Sequence, residues 1–224
     1  MVKLHIIGTS HIAKESYNLV KNNILKNKPD IVAVEIDKKR LQALLSKQTK
    51  IRLSDIKRYG LTAYIFARIG SWLQRKLGER AGLAPGSEIK AAIIAAKKIN
   101  AKIYLIDQDI EITFKKLSKA LGIKEKLKLI FILLFGFFIP TKNKTLKKID
   151  LAKVPEQKLI EELTADFKKK FPSLYKVLVA DRDKYMAKQL IFIANHHTDA
   201  KIIAVVGAGH IKGLKNILSK QNIF

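Results

Sequence analysis

The sequence predicts an α/β fold: a small, mostly parallel central sheet flanked by helices, with a helical insert or cap. Three observations lead there. Four short β-branched apolar runs, at 2–7, 31–36, 102–106 and 201–206, are separated by stretches with helical periodicity. The first two runs enclose one helix within about 36 residues, the span of a βαβ unit with parallel strands. Two of the runs lead into the same pattern, Gly-x-x-His, at Gly8–His11 and Gly207–His210. A chain of 224 residues fits a single domain over 1–224, with the cap or insert at about 41–84 and 111–196.

Each element follows from local signals. Val2–Ile7 reads as a buried strand ending at Gly8. Thr9 and Ser10 are caps for a helix from about His11 to Asn27. Pro29-Asp30 marks a turn, and Ile31–Ile36 is a second buried strand with Glu35 at its far end. From Leu41 to about Gly82 the pattern is helical, with an amphipathic stretch at Leu61–Leu77. Pro85-Gly86 breaks the chain, and Gly86 or Ser87 caps a helix from about Glu88 to Ile99. Lys102–Ile106 is a third strand, followed by Asp107 and Asp109. The run Leu129–Ile139 is uncharged but too short to span a bilayer, which takes about 20 residues. It reads as a buried or dimer-forming helix, or as an interfacial anchor between lysine-rich flanks. Lys142–Lys153 reads as a basic linker. Helix returns from Pro155 to about His196 with a break near Pro172. Lys201–Val206 is the last strand, and a short helix follows over about Ile211–Ser219.

Composition narrows the chemistry. The absence of cysteine excludes disulfides, cysteine zinc sites and thiol catalysis. The formal net charge of +25 implies attraction to something anionic. No sequence pattern of a nucleic-acid-binding module accompanies it. A solvated, lysine-rich surface, as in a thermophile's proteome, is therefore favoured over a nucleic-acid partner. An N-terminus lacking the parts of a signal peptide points to the cytoplasm, with a peripheral contact to an anionic membrane as an addition.

In open α/β sheets ligands bind at the carboxyl ends of the strands. The strand ends here deliver His11, Glu35, Asp107 or Asp109, and His210, while Glu88 opens a helix. Two imidazoles with one or two carboxylates make a ligand set for a divalent metal that activates water. The structural alternatives are local: Glu35 paired with Arg40, and Arg182 paired with Asp181 or Asp183. His5 reads as packed in the sheet, and His196 and His197 as solvated.

Taken together the motifs resemble the TraB/PrgY family, related to the TIKI proteases and more distantly to erythromycin esterase and the ChaN haem-binding proteins. The matching stretches are Ile7-Gly-Thr-Ser-His11, Lys28–Asp37 with Arg40, Gln74–Gly78, Pro85-Gly-Ser-Glu88, Leu105–Ile110 with Thr113, Arg182–Met186, and Val205–His210 with Gly213. The resemblance implies an α/β hydrolase-like fold with paired Gly-x-x-His motifs, linked in one branch to metal-dependent proteolysis and in another to silencing of a peptide pheromone. Carried onto this chain, the motif residues are His11, Glu35, Arg40, Glu88, Asp107, Arg182 and His210. Gln108 stands where the family usually has Arg, which puts an anion-clamping role there in doubt. Many archaeal members also carry a membrane-spanning C-terminal region. None is expected within this chain.

The leading expectation is a metal-dependent peptidase. His11, Glu88 and His210 would hold a divalent ion of the Mn, Co or Zn class. Glu35, Arg40 and Arg182 would do the chemistry, and Asp107 and Asp183 would meet a peptide or small-molecule substrate. Two alternatives stand beside it: a metal-free His/Glu hydrolase, and a non-catalytic regulator that binds a peptide or ligand at a membrane surface. A homodimer through the apolar helices is a further expectation.

Overall fold

The computed structural model describes residues 2–10, 14–46, 86–122, 125 and 157–221. The amphipathic stretch at 61–77, the apolar run at 129–139, the basic linker at 142–153 and His11 lie outside the described residues. In chain order the described elements begin β1 (Lys3–Thr9), α1 (Lys14–Asn27), β2 (Ile31–Val34), α2 (Lys38–Ser46), α3 (Ser87–Lys98) and β3 (Lys102–Leu105). They continue with α4 (Ile110–Ala120), α5 (Gln157–Lys170), the short α6 (Pro172–Tyr175), a π-helical turn (Lys176–Ala180) and α7 (Asp181–His196). The last are β4 (Lys201–Gly207), a 3-10 turn (Ala208–His210), α8 (Ile211–Leu218) and a terminal 3-10 turn (Ser219–Gln221).

The four strands form one parallel sheet in the order β1-β4-β2-β3. The fold is therefore α/β, as the sequence predicts. The last strand is inserted between the first two. Its seven residues align with β1 from Lys3↔Lys201 to Thr9↔Gly207, and its middle aligns with all of β2. β2 and β4 are the central strands, and their Ile-Val-Ala-Val and Ile-Ile-Ala-Val-Val runs are buried on both faces. Such continuous apolar runs, rather than alternation, mark strands covered by helices on both sides.

The path of the chain dictates which helices cover which face. The steps from β1 to β2 and from β2 to β3 run the same way across the sheet, and the step from β3 to β4 runs back. With right-handed crossovers throughout, α1 and α3 must share one face, and α7 must take the other. The two cores obey this. Val32, Val34, Ile203 and Val205 pack with Val20 and Ile24 of α1 and Ile89, Ala92 and Ala96 of α3. Their strand neighbours Ile31, Ala33, Ile202 and Ala204 point the other way, onto Met186, Leu190 and Ile193 of α7 and Leu214 and Leu218 of α8. Small residues on α3 let it lie against both α1 and the sheet.

The stretch expected to form a cap thus contributes α7 directly to a layer of the sheet. A separate small core, Leu117, Leu121, Leu174 and Val177 with Phe167 and Phe171 against it, joins α4, α5, α6 and the π-helical turn. α1 is described from Lys14, and in its first turn the Ser16 hydroxyl accepts from the Ser10 N–H at 2.9 Å. α2 starts at Lys38, earlier than its hydrophobic pattern indicates. The reason is an Asp37 cap: its Oδ1 accepts from the N–H groups of Lys39 and Arg40 at 2.9 and 3.0 Å.

Leu190 is fully buried on α7, whereas Ile94 on α3 is more than half exposed. Leu190→Ala is expected to cost about 2–5 kcal/mol. Ile94→Ala is expected to stay within about 0.5 kcal/mol of the parent. Urea denaturation midpoints of the two variants check both.

Candidate active site

The carboxyl ends of β2, β3 and β4 lie level, because their registers are continuous. Val34 pairs with both Leu105 and Val205, and the next N–H groups, of Ile106 and Glu35, bond Val34 and Val205 carbonyls at 3.0 Å each. Residues just past these strands must therefore converge. Glu35 follows β2 at once, Asp107 follows β3 by two positions, and His210 follows β4 by three. All three are buried.

One guanidinium joins the two carboxylates. Arg182 projects from the first turn of α7, just after the π-helical turn. Its Nη2 bonds Glu35 Oε1 and lies 2.7 Å from Asp107 Oδ2, while its Nε donates to Asp107 Oδ1 at 3.0 Å. Its Nη1 donates to the Leu178 carbonyl inside the π-helical turn at 3.2 Å. Wide turns of this kind re-aim the residues that follow and recur at functional sites. Arg40 reaches Asp107 Oδ2 from α2 and is held by Asp37 on its other side. Asp107 Oδ1 also accepts from the Gln108 N–H at 2.7 Å. Four donors thus occupy both oxygens of Asp107, which is the capacity of a carboxylate.

His210 is fixed from both sides. Its Nδ1 lies 2.6 Å from Asp183 Oδ1, and its Nε2 faces Glu35 Oε1 at 3.4 Å. The second Glu35 oxygen accepts from the Gly207 N–H at 2.6 Å, so the strand-end glycine of the Gly-x-x-His motif holds the carboxylate that its histidine faces. Burial alone would lower the His210 pKa. The Glu35 charge and the hydrogen bond to Asp183 outweigh it, and the imidazole is pushed up to about 9. Burial likewise opposes the charge on Arg182, but Glu35 and Asp107 hold its pKa above the ordinary value. In this cluster Asp37, Glu35 and Asp107 pair with the two guanidiniums and Asp183 with His210; four carboxylates against two guanidiniums leave a surplus of two negative charges, and the proton on His210 offsets one of them.

Of the residues marked by the sequence, Glu35, Arg40, Asp107, Arg182, Asp183 and His210 come together. Asp183, expected at the substrate, orients His210. Asp107, likewise expected there, is filled by protein donors. The two arginines do not make only local pairs, since Arg182 reaches across 147 positions to Glu35. Glu88 is buried in the first turn of α3. His11 lies outside the described residues, and among those described no three His, Asp or Glu side chains gather into a metal-holding group. Both ends of the Gln108 side chain are engaged within the protein. Its Nε2 donates to Thr113 Oγ1 at 2.9 Å, and its Oε1 accepts from Lys116 Nζ at 3.0 Å. Lys116 also lies 3.5 Å from Asp181, beside Arg182. Asp37 and Lys116 carry no site role in the sequence reading. For Asp37 the spacing Asp-x-x-Arg at a helix start was the available signal.

Fold and cluster together define a parallel α/β domain with a His–carboxylate–Arg centre at its strand ends. The chain belongs to the TraB/PrgY/gumN family, whose model matches residues 2–222. It is 35% identical over 222 residues to an uncharacterized protein of Methanocaldococcus jannaschii, covering 97% of this chain and 53% of that one. It is 27% identical over 247 aligned residues to a TraB domain-containing protein of Mus musculus and 26% identical to the one of Homo sapiens. In both of these cases 99% of this chain and 64% of the relative are covered. The chain thus spans less than two thirds of the length of these relatives. Among the described residues no helix is long and apolar enough to cross a membrane.

Two outcomes follow from the charges. Arg182→Leu leaves Glu35 and Asp107 buried without this cation, and is expected to cost about 3–5 kcal/mol in a urea titration. For His210 the folded pKa is raised, from about 6.5 unfolded to about 9. Its protonation therefore stabilises the fold fully below about pH 6.5. That contribution shrinks as pH rises and is gone above about 9. Stability measured across this window should show the decline, and His210→Gln should remove it.

Proposed function

We propose that this chain is a hydrolase acting on peptides or related acyl compounds, with His210 and Glu35 as its proton-transfer pair. One observation carries the reading: Asp183 fixes Nδ1 of His210, and Nε2 then faces Glu35 at 3.4 Å. A histidine oriented by a third group, beside a second titratable group among the charges at the strand ends, is an arrangement for acid–base hydrolysis. Glu35, paired with Arg182, takes the proton of the attacking water. His210, protonated at neutral pH, gives a proton to the leaving amine or alkoxide. Proton return from Glu35 to His210 then resets the pair. Arg40, whose side chain is 34% exposed, is the part of the cluster open to solvent and offers a cation to substrate carboxylate or carbonyl oxygen. The family resemblance supports a peptide as substrate, and the net charge of +25 supports an anionic membrane surface as a setting.

A second reading has its own support. Two ligands of a tetrahedral ion at about 2.0–2.1 Å lie roughly 3.4 Å apart, the spacing of His210 Nε2 and Glu35 Oε1. Asp183 on Nδ1 is the outer partner that a ligating histidine uses. His210 and Glu35 would hold a divalent ion, with Glu88 or His11 as further donors. The ion would offset both surplus charges and lower the pKa of a bound water.

Turnover of a fluorogenic peptide and ester panel, with and without exhaustive chelation, tests both. His210→Gln and Glu35→Gln are each expected to lose at least about 10²-fold in kcat. Activity that survives chelation supports the acid–base pair. Activity restored by Mn, Co or Zn, with proton release on binding that His210→Gln abolishes, supports the metal. No turnover across the panel at any metal content would overturn the hydrolase reading.

A further inference from the structure

Gly213 is the third residue of α8 and sits within a helix, where glycine is the least favoured residue after proline. Its backbone does not explain it, because Gly86 is the positive-φ glycine among the described residues and Gly213 has an ordinary helical φ. Space explains it. A Cβ on Gly213 would stand 2.7 Å from Asp183 Cγ and 3.3 Å from Asp183 Cβ, and closer still to Oδ2. The carboxylate of Asp183 therefore lies in the volume a side chain would fill. His210 precedes Gly213 by three positions, on the same face of the turn. From that seat Asp183 Oδ1 meets His210 Nδ1 at 2.6 Å. The surrounding helices cannot simply open, since Met186 and Leu190 of α7 pack with Leu214 and Leu218 of α8 in the same core. By contrast, a Cβ on Gly209 meets nothing within 4 Å.

We propose that Gly213 is a positioning residue: its missing side chain is the seat of the Asp183 carboxylate, and through that seat it sets the direction in which His210 Nε2 points. The step from positioning to turnover rests on the hydrolase reading, but the positioning itself does not.

Two measurements on the full chain test it. The first is the downfield proton NMR signal of the His210 Nδ1–H, assigned by its loss in His210→Gln. It should persist in Gly209→Ala and be lost or shifted upfield in Gly213→Ala and in Asp183→Ala. The second is a double-variant cycle of urea midpoints. Gly213→Ala should lower the midpoint of the parent, and lower it clearly less in the Asp183→Ala background, where the carboxylate is gone and only the Cβ of position 183, 3.3 Å away, remains. An unchanged signal in Gly213→Ala, or an equal fall of the midpoint in both backgrounds, would overturn the proposal. If Gly213→Ala alone does not fold, comparing Asp183→Ala with the double variant still decides. Neither readout uses turnover, so a failed hydrolase reading and a failed positioning role remain distinguishable.

Discussion

The site depends on a buried cation. Arg182 loses its water when α7 packs on the sheet, and a guanidinium, which keeps its charge even when buried, must there be met by carboxylates. Glu35 and Asp107 meet it, and each comes from the end of a different strand. A single side chain thereby ties β2, β3 and α7 together at one edge. Asp107 is filled on both oxygens, by Arg182, by Arg40 and by its own following N–H, so it has no freedom to turn toward anything else. Glu35 is held by Arg182 on one oxygen and by Gly207 on the other. Rigid carboxylates in turn fix the field that His210 feels.

The small outer core gives this arrangement its footing. Phe167 packs near Phe171 and Tyr175, with ring centroids 6.1 and 6.5 Å apart. Leu174 and Val177 continue that packing into the π-helical turn. The turn is thus braced on its outer side, while Arg182 bonds its inner carbonyl at Leu178. Helices that looked like a cover also hold the angle at which Arg182 enters the site.

Strand runs such as Ile31–Val34 and Lys201–Val206 were legible because doubly covered strands need unbroken apolar sequence, and the site residues were legible because polar side chains just past such runs have one place to go. Partners were not legible. The sequence offers Arg40 to Glu35 and Arg182 to its helix neighbours, but the described pairs of Arg182 are with Glu35 and Asp107, and Arg40 pairs with Asp37 and Asp107. Ion pairs across layers depend on strand order, which periodicity does not encode. The same holds for the place of β4 between β1 and β2. The early start of α2 was hidden because capping by Asp37, not the apolar pattern, sets it. The role of Asp183 was hidden because it needs the empty space at Gly213, and a missing side chain leaves no periodic trace.

The position of β4 bears on how the protein is made. Among the described strands β1 pairs with β4 alone, and Thr9 Oγ1 donates to the Val206 carbonyl 197 positions later. While the chain leaves the ribosome from its N-terminus, β1 has no edge to join and β2 lacks one of its two neighbours. The sheet closes only when nearly all of the described chain has emerged. Contacts of such long sequence separation make folding slow, and the waiting strands keep unpaired edges until β4 is made. The centre at the strand ends, which draws on β2, β3, β4 and α7, therefore cannot form before β4 has been made.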